Sequence, residues 1–321
     1  MPELSLVAPA YNEADCIEEF VRRARRALAE TGLSFELIVV DDGSRDATFP
    51  KLVALREECP ELRILRLSRN FGQEAAVHAG LWHASGAAII VSDADLQDPP
   101  ELIPELVSRW QQGAKVVVAR RRSRSEPWPR RLATGLFHWL FSRFSSVDDA
   151  PDAGLFCLVD RTVADVLKGM REYHRYFRGL RAYTGFGRAE LWYDRPDRDG
   201  KPRQSLTKLL RLAGDALFSF SYAPLRLALI TGSLISVLCI LYAAFLFVVR
   251  LLGLWVVPGF TTVAVAILFL GGLQLVALGI IGEYVGRIYE EVKGRPLFIV
   301  EQAVGFSEPA AAPSPEVQQP P

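Results

Sequence analysis

The sequence predicts an α/β unit with a mostly parallel sheet covered by helices on both faces, followed by two transmembrane helices. Three observations carry this expectation. Short apolar strand runs alternate with helical spacing through the first part of the chain, polar turns rich in Asp, Asn, Ser and Gly close those runs, and two long uncharged stretches follow Arg226. Alternation of this kind implies parallel strands joined by crossover helices. Ligands of such sheets bind beyond the carboxyl ends of the strands.

Taken in order, "ELSLVAPAYNE" reads as a buried strand and a turn, and Ala14 to Glu30 carries helical spacing at Ile17, Phe20, Val21, Ala24 and Leu28. "FELIVVDDGS" repeats the pattern, and a helix is expected from Asp46 to Cys59. "LRILRLS" is the third strand, Glu74 to Ala84 the next helix, and "AAIIVSDAD" the fourth strand. A helix from about Pro100 to Gln112 and the strand "AKVVVAR" follow. The turns "PAYNE", "VDDGS", "SRNFGQ" and "SDADLQD" then fall along one rim. From Ser123 to Trp192 the pattern loosens into a helical piece at Pro129 to Ser142, a turn "DDAPDAG", a strand "LFCLVD" and a helix at Thr162 to Met170.

Leu227 to Val249 is uncharged and long enough, at ~1.5 Å per residue, to cross a hydrocarbon core of ~30 Å. Pro258 and Gly259 break the next stretch, leaving a second span from about Phe260 to Gly282. Lys208, Arg211 and Arg226 precede the pair and Arg287, Lys293 and Arg295 follow it, whereas the connecting loop holds only Arg250, so both termini are expected in the cytoplasm. Ser205 to Phe220 reads as a basic amphipathic helix lying in the interface. The expected organisation is a catalytic domain at 1–204, this helix at 205–225, two spans within 226–284, a cytoplasmic segment at 285–300 and a disordered tail at 301–321. Gly271, Gly272 and Gly279 in the second span suit either hairpin closure or a homo-oligomer.

Lys and Arg (37) balance Asp and Glu (37), which argues against a nucleic-acid binder. Four scattered cysteines and four dispersed histidines give no zinc or disulfide pattern. Any metal is therefore expected on oxygen, and Mg²⁺ or Mn²⁺ suits carboxylates shared with substrate phosphates. Asp93 and Asp95, at the end of the fourth strand, fit such a seat, although acids in this position also simply solvate a turn. Asp98 is expected as the N-cap of the following helix, with Pro99 at its first position.

The motifs "PAYNE", "VDDGS", "LSRNFGQEAA" and "DADLQDPPE", in this order and spacing, resemble the inverting family 2 glycosyltransferases of GT-A fold, in particular those that act on polyisoprenyl phosphates. The resemblance covers Leu4 to about Val300 and implies a GT-A nucleotide-sugar-binding, Rossmann-like sheet with a C-terminal transmembrane hairpin. It implies that Pro9, Tyr11, Glu13, Asp41 and its neighbour Asp42 bind a UDP- or GDP-linked sugar. Asp93, Asp95 and Gln97 would hold the metal and donor diphosphate, Asp95 as the direct ligand. It implies further that Arg122, Arg124 and Arg178 grip the phosphate of a polyprenyl acceptor, and that Asp152 of "DAGLFCL" orients or deprotonates that acceptor. Two departures stand out. Family members often carry a lysine at Gln73, and an acid and an arginine at Leu155 and Cys157. A polysaccharide synthase on the same fold, and a membrane scaffold keeping a degenerate transferase domain, are the competing readings. The absence of a Q-x-x-R-W motif weighs against the first, and intact Asp41, Asp93, Asp95 and Asp152 against the second.

Overall fold

The computed structural model describes residues 2–121, 153–170, 172–173, 175–193 and 259–306, with scattered positions between 232 and 252. The chain divides into two units. One comprises residues 1–138, 147–203 and 295–321, and the other residues 139–146 and 204–294.

The first unit is built on strands β1 (Leu4–Ala10), β2 (Phe35–Asp41), β3 (Leu62–Leu67), β4 (Ala88–Val91), β5 (Val116–Arg121), β6 (Ala153–Asp160), β7 (Arg188–Tyr193) and β8 (Val300–Val304). They form one sheet in the order β7-β5-β6-β4-β1-β2-β3-β8. Strand β1 is buried along its whole length, as expected of a central parallel strand that is apolar but for Ser5, whose hydroxyl donates to Glu36. It pairs in parallel with β2 and β4, so Ala10 lies beside Asp41 and Val7 beside Val91. Strands β6 and β8 run antiparallel to their neighbours. The reversal of β6 brings its first residue, Ala153, beside Arg120 near the end of β5. The rim expected for the first four strands therefore also receives the end of β5 and the start of β6.

Helices α1 (Ile17–Glu30), α2 (Thr48–Glu58), α3 (Gln73–His83) and α4 (Ile103–Gln111) connect these strands. Helix α1 buries Ile17, Phe20, Val21, Ala24 and Leu28, the expected face, together with Ala27. Helices α5 (Arg161–Gly169) and α6 (Phe177–Tyr183) follow β6. Asp160 caps α5, accepting from the amide of Thr162 at 3.0 Å.

Three expectations change. Asp98 is not a helix N-cap: a short 3-10 turn over Pro100–Leu102 starts after Pro99, which is itself extended at φ −70° and ψ 117°. A residue ahead of proline is pushed out of the helical region, so Pro99 cannot be the first helical residue when Pro100 follows. Asp98 is instead fully buried and accepts from the Tyr193 hydroxyl of β7 at 2.5 Å. Second, residues 301–304, expected in a tail, belong to β8. This strand pairs antiparallel with β3 and covers an edge that would otherwise expose unpaired backbone. Third, the helix expected over Phe260 to Gly282 continues to Val292.

That helix, α7 (Phe260–Val292), lies in the second unit and over Phe269–Val292 is long and apolar enough to cross a membrane. Its large apolar side chains are exposed, Leu275 at 72% and Val292 at 79%. Of the first expected span only scattered residues are described, all helical up to Leu251. The expected helix at 129–142, the interfacial helix at 205–220 and residues 307–321 lie outside the described residues.

Candidate active site

The β1–α1 and β2–α2 turns are stapled together at the rim. The Asn12 amide donates to Ser44 Oγ (3.0 Å), Asn12 Oδ1 accepts from the Arg45 amide (2.9 Å), and the Glu13 amide donates to Thr48 Oγ1 (3.0 Å). Asn12 adopts a φ of 53°, a left-handed conformation that asparagine tolerates. Pro9 is buried beside Val40 in the parallel register, whereas Tyr11, 41% exposed, is the aromatic side chain that the turn presents outward. The Glu13 carboxylate accepts from the Cys16 thiol at 3.2 Å.

The two acids ending β2 have different partners. Asp41 is fully buried; its Oδ1 accepts from the Ser44 amide at 3.1 Å, and its Oδ2 lies 3.6 Å from Arg66 Nε without a hydrogen bond. Burial pushes the Asp41 carboxyl above the usual range, against the pull of Ser44 and Arg66. Arg66 stacks on Phe49, and its Nε also lies 3.7 Å from the Glu301 carboxylate of β8. Asp42 uses one oxygen for the Phe71 amide (2.7 Å) and the other for the Gly72 amide (2.9 Å). Burial raises this carboxyl too, against those two amides. Asp42, expected at the nucleotide, thereby holds the β3–α3 loop. Gly43 makes that approach feasible: at φ 67°, a Cβ there would stand 2.6 Å from the Arg69 carbonyl carbon.

The end of β4 is more open. Asp93, Asp95 and Gln97 are all partly exposed. Asp93 Oδ1 accepts from Gln73 Nε2 at 2.5 Å, so the residue that departs from the family lysine touches the expected donor seat. Asp95 Oδ1 accepts from the Gln97 amide at 3.0 Å, a local turn that fixes the carboxylate. Leu96 between them has φ 60°, and with Asn12 it makes up the non-glycine positive-φ residues among those described. Such strain persists where surrounding contacts over-determine the backbone, and it clusters at functional loops. No group of three His, Cys, Asp or Glu side chains converges on a metal position among the described residues. Two carboxylates and a carboxamide are nonetheless a hard oxygen set of the kind Mg²⁺ accepts, because substrate phosphates and water complete its shell.

Arg178 sits on α6 and is partly buried. Sequence reasoning missed the residue beside it. Glu74, in the first turn of α3, accepts from the Phe177 amide at 2.8 Å and lies within the field of Arg178 and Arg181. Burial raises its carboxyl, against that amide and both arginines. An acid in a helix's first turn is an ordinary dipole complement, so "QEAA" carried no signal of this reach. Arg122, Arg124 and Asp152 lie outside the described residues; their described neighbours, Arg121 ending β5 and Ala153 starting β6, stand at the rim.

Residues 5–162 match glycosyl transferase family 2, and residues 223–288 match the GtrB C-terminal hairpin. An uncharacterized glycosyltransferase of Synechocystis sp. is 43% identical over 307 residues, covering 95% of this chain and 96% of its own. The SfII prophage-derived bactoprenol glucosyl transferase of Shigella flexneri is 37% identical, covering 94% of this chain and 98% of its own. A prophage bactoprenol glucosyl transferase homolog of Escherichia coli is 35% identical, with 94% and 99% covered. The hairpin match and the exposed apolar surface of α7 together indicate association with a membrane.

Proposed function

This chain belongs to glycosyl transferase family 2, and from that membership we propose that it moves a hexose from a nucleotide-diphosphate sugar to a polyprenyl phosphate, with inversion, at the cytoplasmic face of a membrane. The observation that carries the reading is joint: bactoprenol glucosyl transferases resemble this chain over nearly its whole length, hairpin included, and the acid-bearing turns share one rim. In the reaction an oxygen of the acceptor phosphate attacks the anomeric carbon of the donor, the bond from that carbon to the diphosphate breaks, and the nucleoside diphosphate departs. A phosphomonoester has its second pKa near ~6, so the nucleophile is already charged near neutrality.

On this reading Tyr11, Glu13 and Asp41, with Pro9 shaping the turn, receive the nucleoside, while Asp42 acts one step removed by holding the loop. Asp93, Asp95 and Gln97 would hold Mg²⁺ or Mn²⁺, which when bound would supply Lewis-acid neutralisation of the diphosphate. Arg122, Arg124 and Arg178 bind the acceptor phosphate through planar guanidinium forks, and Asp152 orients it. This reading takes the chain to be anchored by two spans with both termini in the cytoplasm, on the membrane that carries a polyprenyl acceptor.

Purified full-length protein, incubated with a short polyprenyl phosphate, Mg²⁺ and labelled UDP- and GDP-sugars in turn, should place label in the organic phase with one donor, and a chelator should abolish it. Label in polymer or free sugar alone would overturn the acceptor assignment.

A further inference from the structure

Two adjacent side chains in the first turn of α3 hydrogen-bond to two different elements, the end of β4 and the start of α6. Gln73 Nε2 donates to Asp93 Oδ1 at 2.5 Å, at the end of β4. Glu74 accepts from the Phe177 amide at 2.8 Å, at the first residue of α6, across 103 positions of sequence. The loop leading into this turn is itself fixed, because Asp42 takes the Phe71 and Gly72 amides at 2.7 and 2.9 Å.

Beyond Phe177 the contacts continue toward the acceptor side. Arg178 follows it directly, and both Arg178 and Arg181 act electrostatically on Glu74. Arg181 is 3% exposed, lies over the Phe177 ring and donates to the Gly154 carbonyl at 3.5 Å, near the start of β6. A half-turn of α3 thus reaches the donor seat with one residue and, through α6, the start of β6 with the next. Helix α6 has seven residues and would be marginal without such an anchor.

We propose that Gln73 and Glu74 are positioning residues for the transfer reaction, Gln73 setting the Asp93 carboxylate for the donor and Glu74 setting Arg178 for the acceptor phosphate. The inference rests on the reading of Arg178 as an acceptor contact. Neither side chain touches substrate; each acts through one that does. The neutral carboxamide of Gln73 orients Asp93 without adding a fixed positive charge beside it.

The test is a split in Michaelis constants, measured on full-length protein with a short polyprenyl phosphate as acceptor. Glu74→Ala should raise the acceptor KM about tenfold and leave the donor KM within about twofold, a size fitting the loss of one charge-assisted hydrogen bond. Glu74→Gln, which still accepts from Phe177, should recover to within about threefold of wild type. Gln73→Ala should show the converse, a raised donor KM with the acceptor KM unmoved. The same signature in both alanine variants, or no change in either, overturns the proposal. Arg178→Ala separates the two levels. If it leaves the acceptor KM unchanged, the acceptor reading itself fails; if it raises that KM while Glu74→Ala does not, only the strut fails. Should Glu74→Ala not fold, Glu74→Asp decides: its shortened carboxylate must raise the acceptor KM in preference to the donor KM, and an unmoved acceptor KM overturns the proposal.

Discussion

Strands β2 and β4 each deliver acids to the same rim, yet the two sets have opposite fates. Asp41 and Asp42 are buried and committed to Ser44, Phe71 and Gly72, whereas Asp93 and Asp95 remain partly exposed. The difference lies in the turn that closes each strand. The "VDDGS" turn folds back under two neighbouring loops, and Gly43 lets the backbone of Arg69 come close. In the "SDADLQD" turn Leu96 takes a positive φ and packs against the core, Asp93 and Asp95 on its N-terminal side stay partly exposed, and Asp98 is buried. Burial and partners, more than residue type, distinguish Asp42, whose two oxygens clamp a neighbouring loop, from Asp93 and Asp95, whose carboxylates stay partly exposed.

The sharpest break of this contrast is Asp95→Ala. Lewis-acid stabilisation supplies several kcal/mol, so transfer should fall by roughly 100-fold or more while the melting temperature of the α/β unit stays put. Loss of stability in parallel would put Asp95 with the structural acids.

Asp42→Ala should do the reverse, leaving two amides without their acceptor and destabilising by about 1–3 kcal/mol in denaturant unfolding. Its activity loss should follow the folded fraction and the loosened loop, and an undiminished unfolding midpoint would sink the clamp.

Asp98→Ala extends the comparison within one turn. This acid is three residues from Asp95 but fully buried against Tyr193, so about 1–2 kcal/mol of stability should be lost with the metal requirement unchanged.

The smallest effect concerns pH. The folded state holds the Asp41 proton to higher pH than the unfolded chain, chiefly through burial. Its contribution is therefore present below the ordinary carboxylate value of ~3.9 and is lost as pH rises through the raised folded value. Unfolding of Asp41→Asn, measured against wild type across this window, should lack that decline. An equal slope in both would mean that Asp41 ionises as a solvated acid does.

Strand runs and their terminal acids were legible because each is a local pattern: apolar alternation followed by turn chemistry within ten or so residues. The expected rim emerged from four such patterns. The return of β8 to the sheet was not legible, since "VEQAV" is a polar edge strand whose partner, β3, lies far back in the chain. Nor was the role of Asp98, which local rules make a helix cap until Pro100 and the distant Tyr193 hydroxyl intervene. Glu74 gave no sign either, because its partner Phe177 is 103 residues away.

By itself, then, the sequence determined the α/β class, the rim, the apolar C-terminal segment and the family, all of which rest on periodicity, composition and short motifs. Tertiary structure alone decided which acids are enclosed and which groups they bond. An acid's burial and partners are set by segments that meet only on folding, and nothing in the local sequence of Asp41, Asp42 or Asp98 records the neighbours that enclose them.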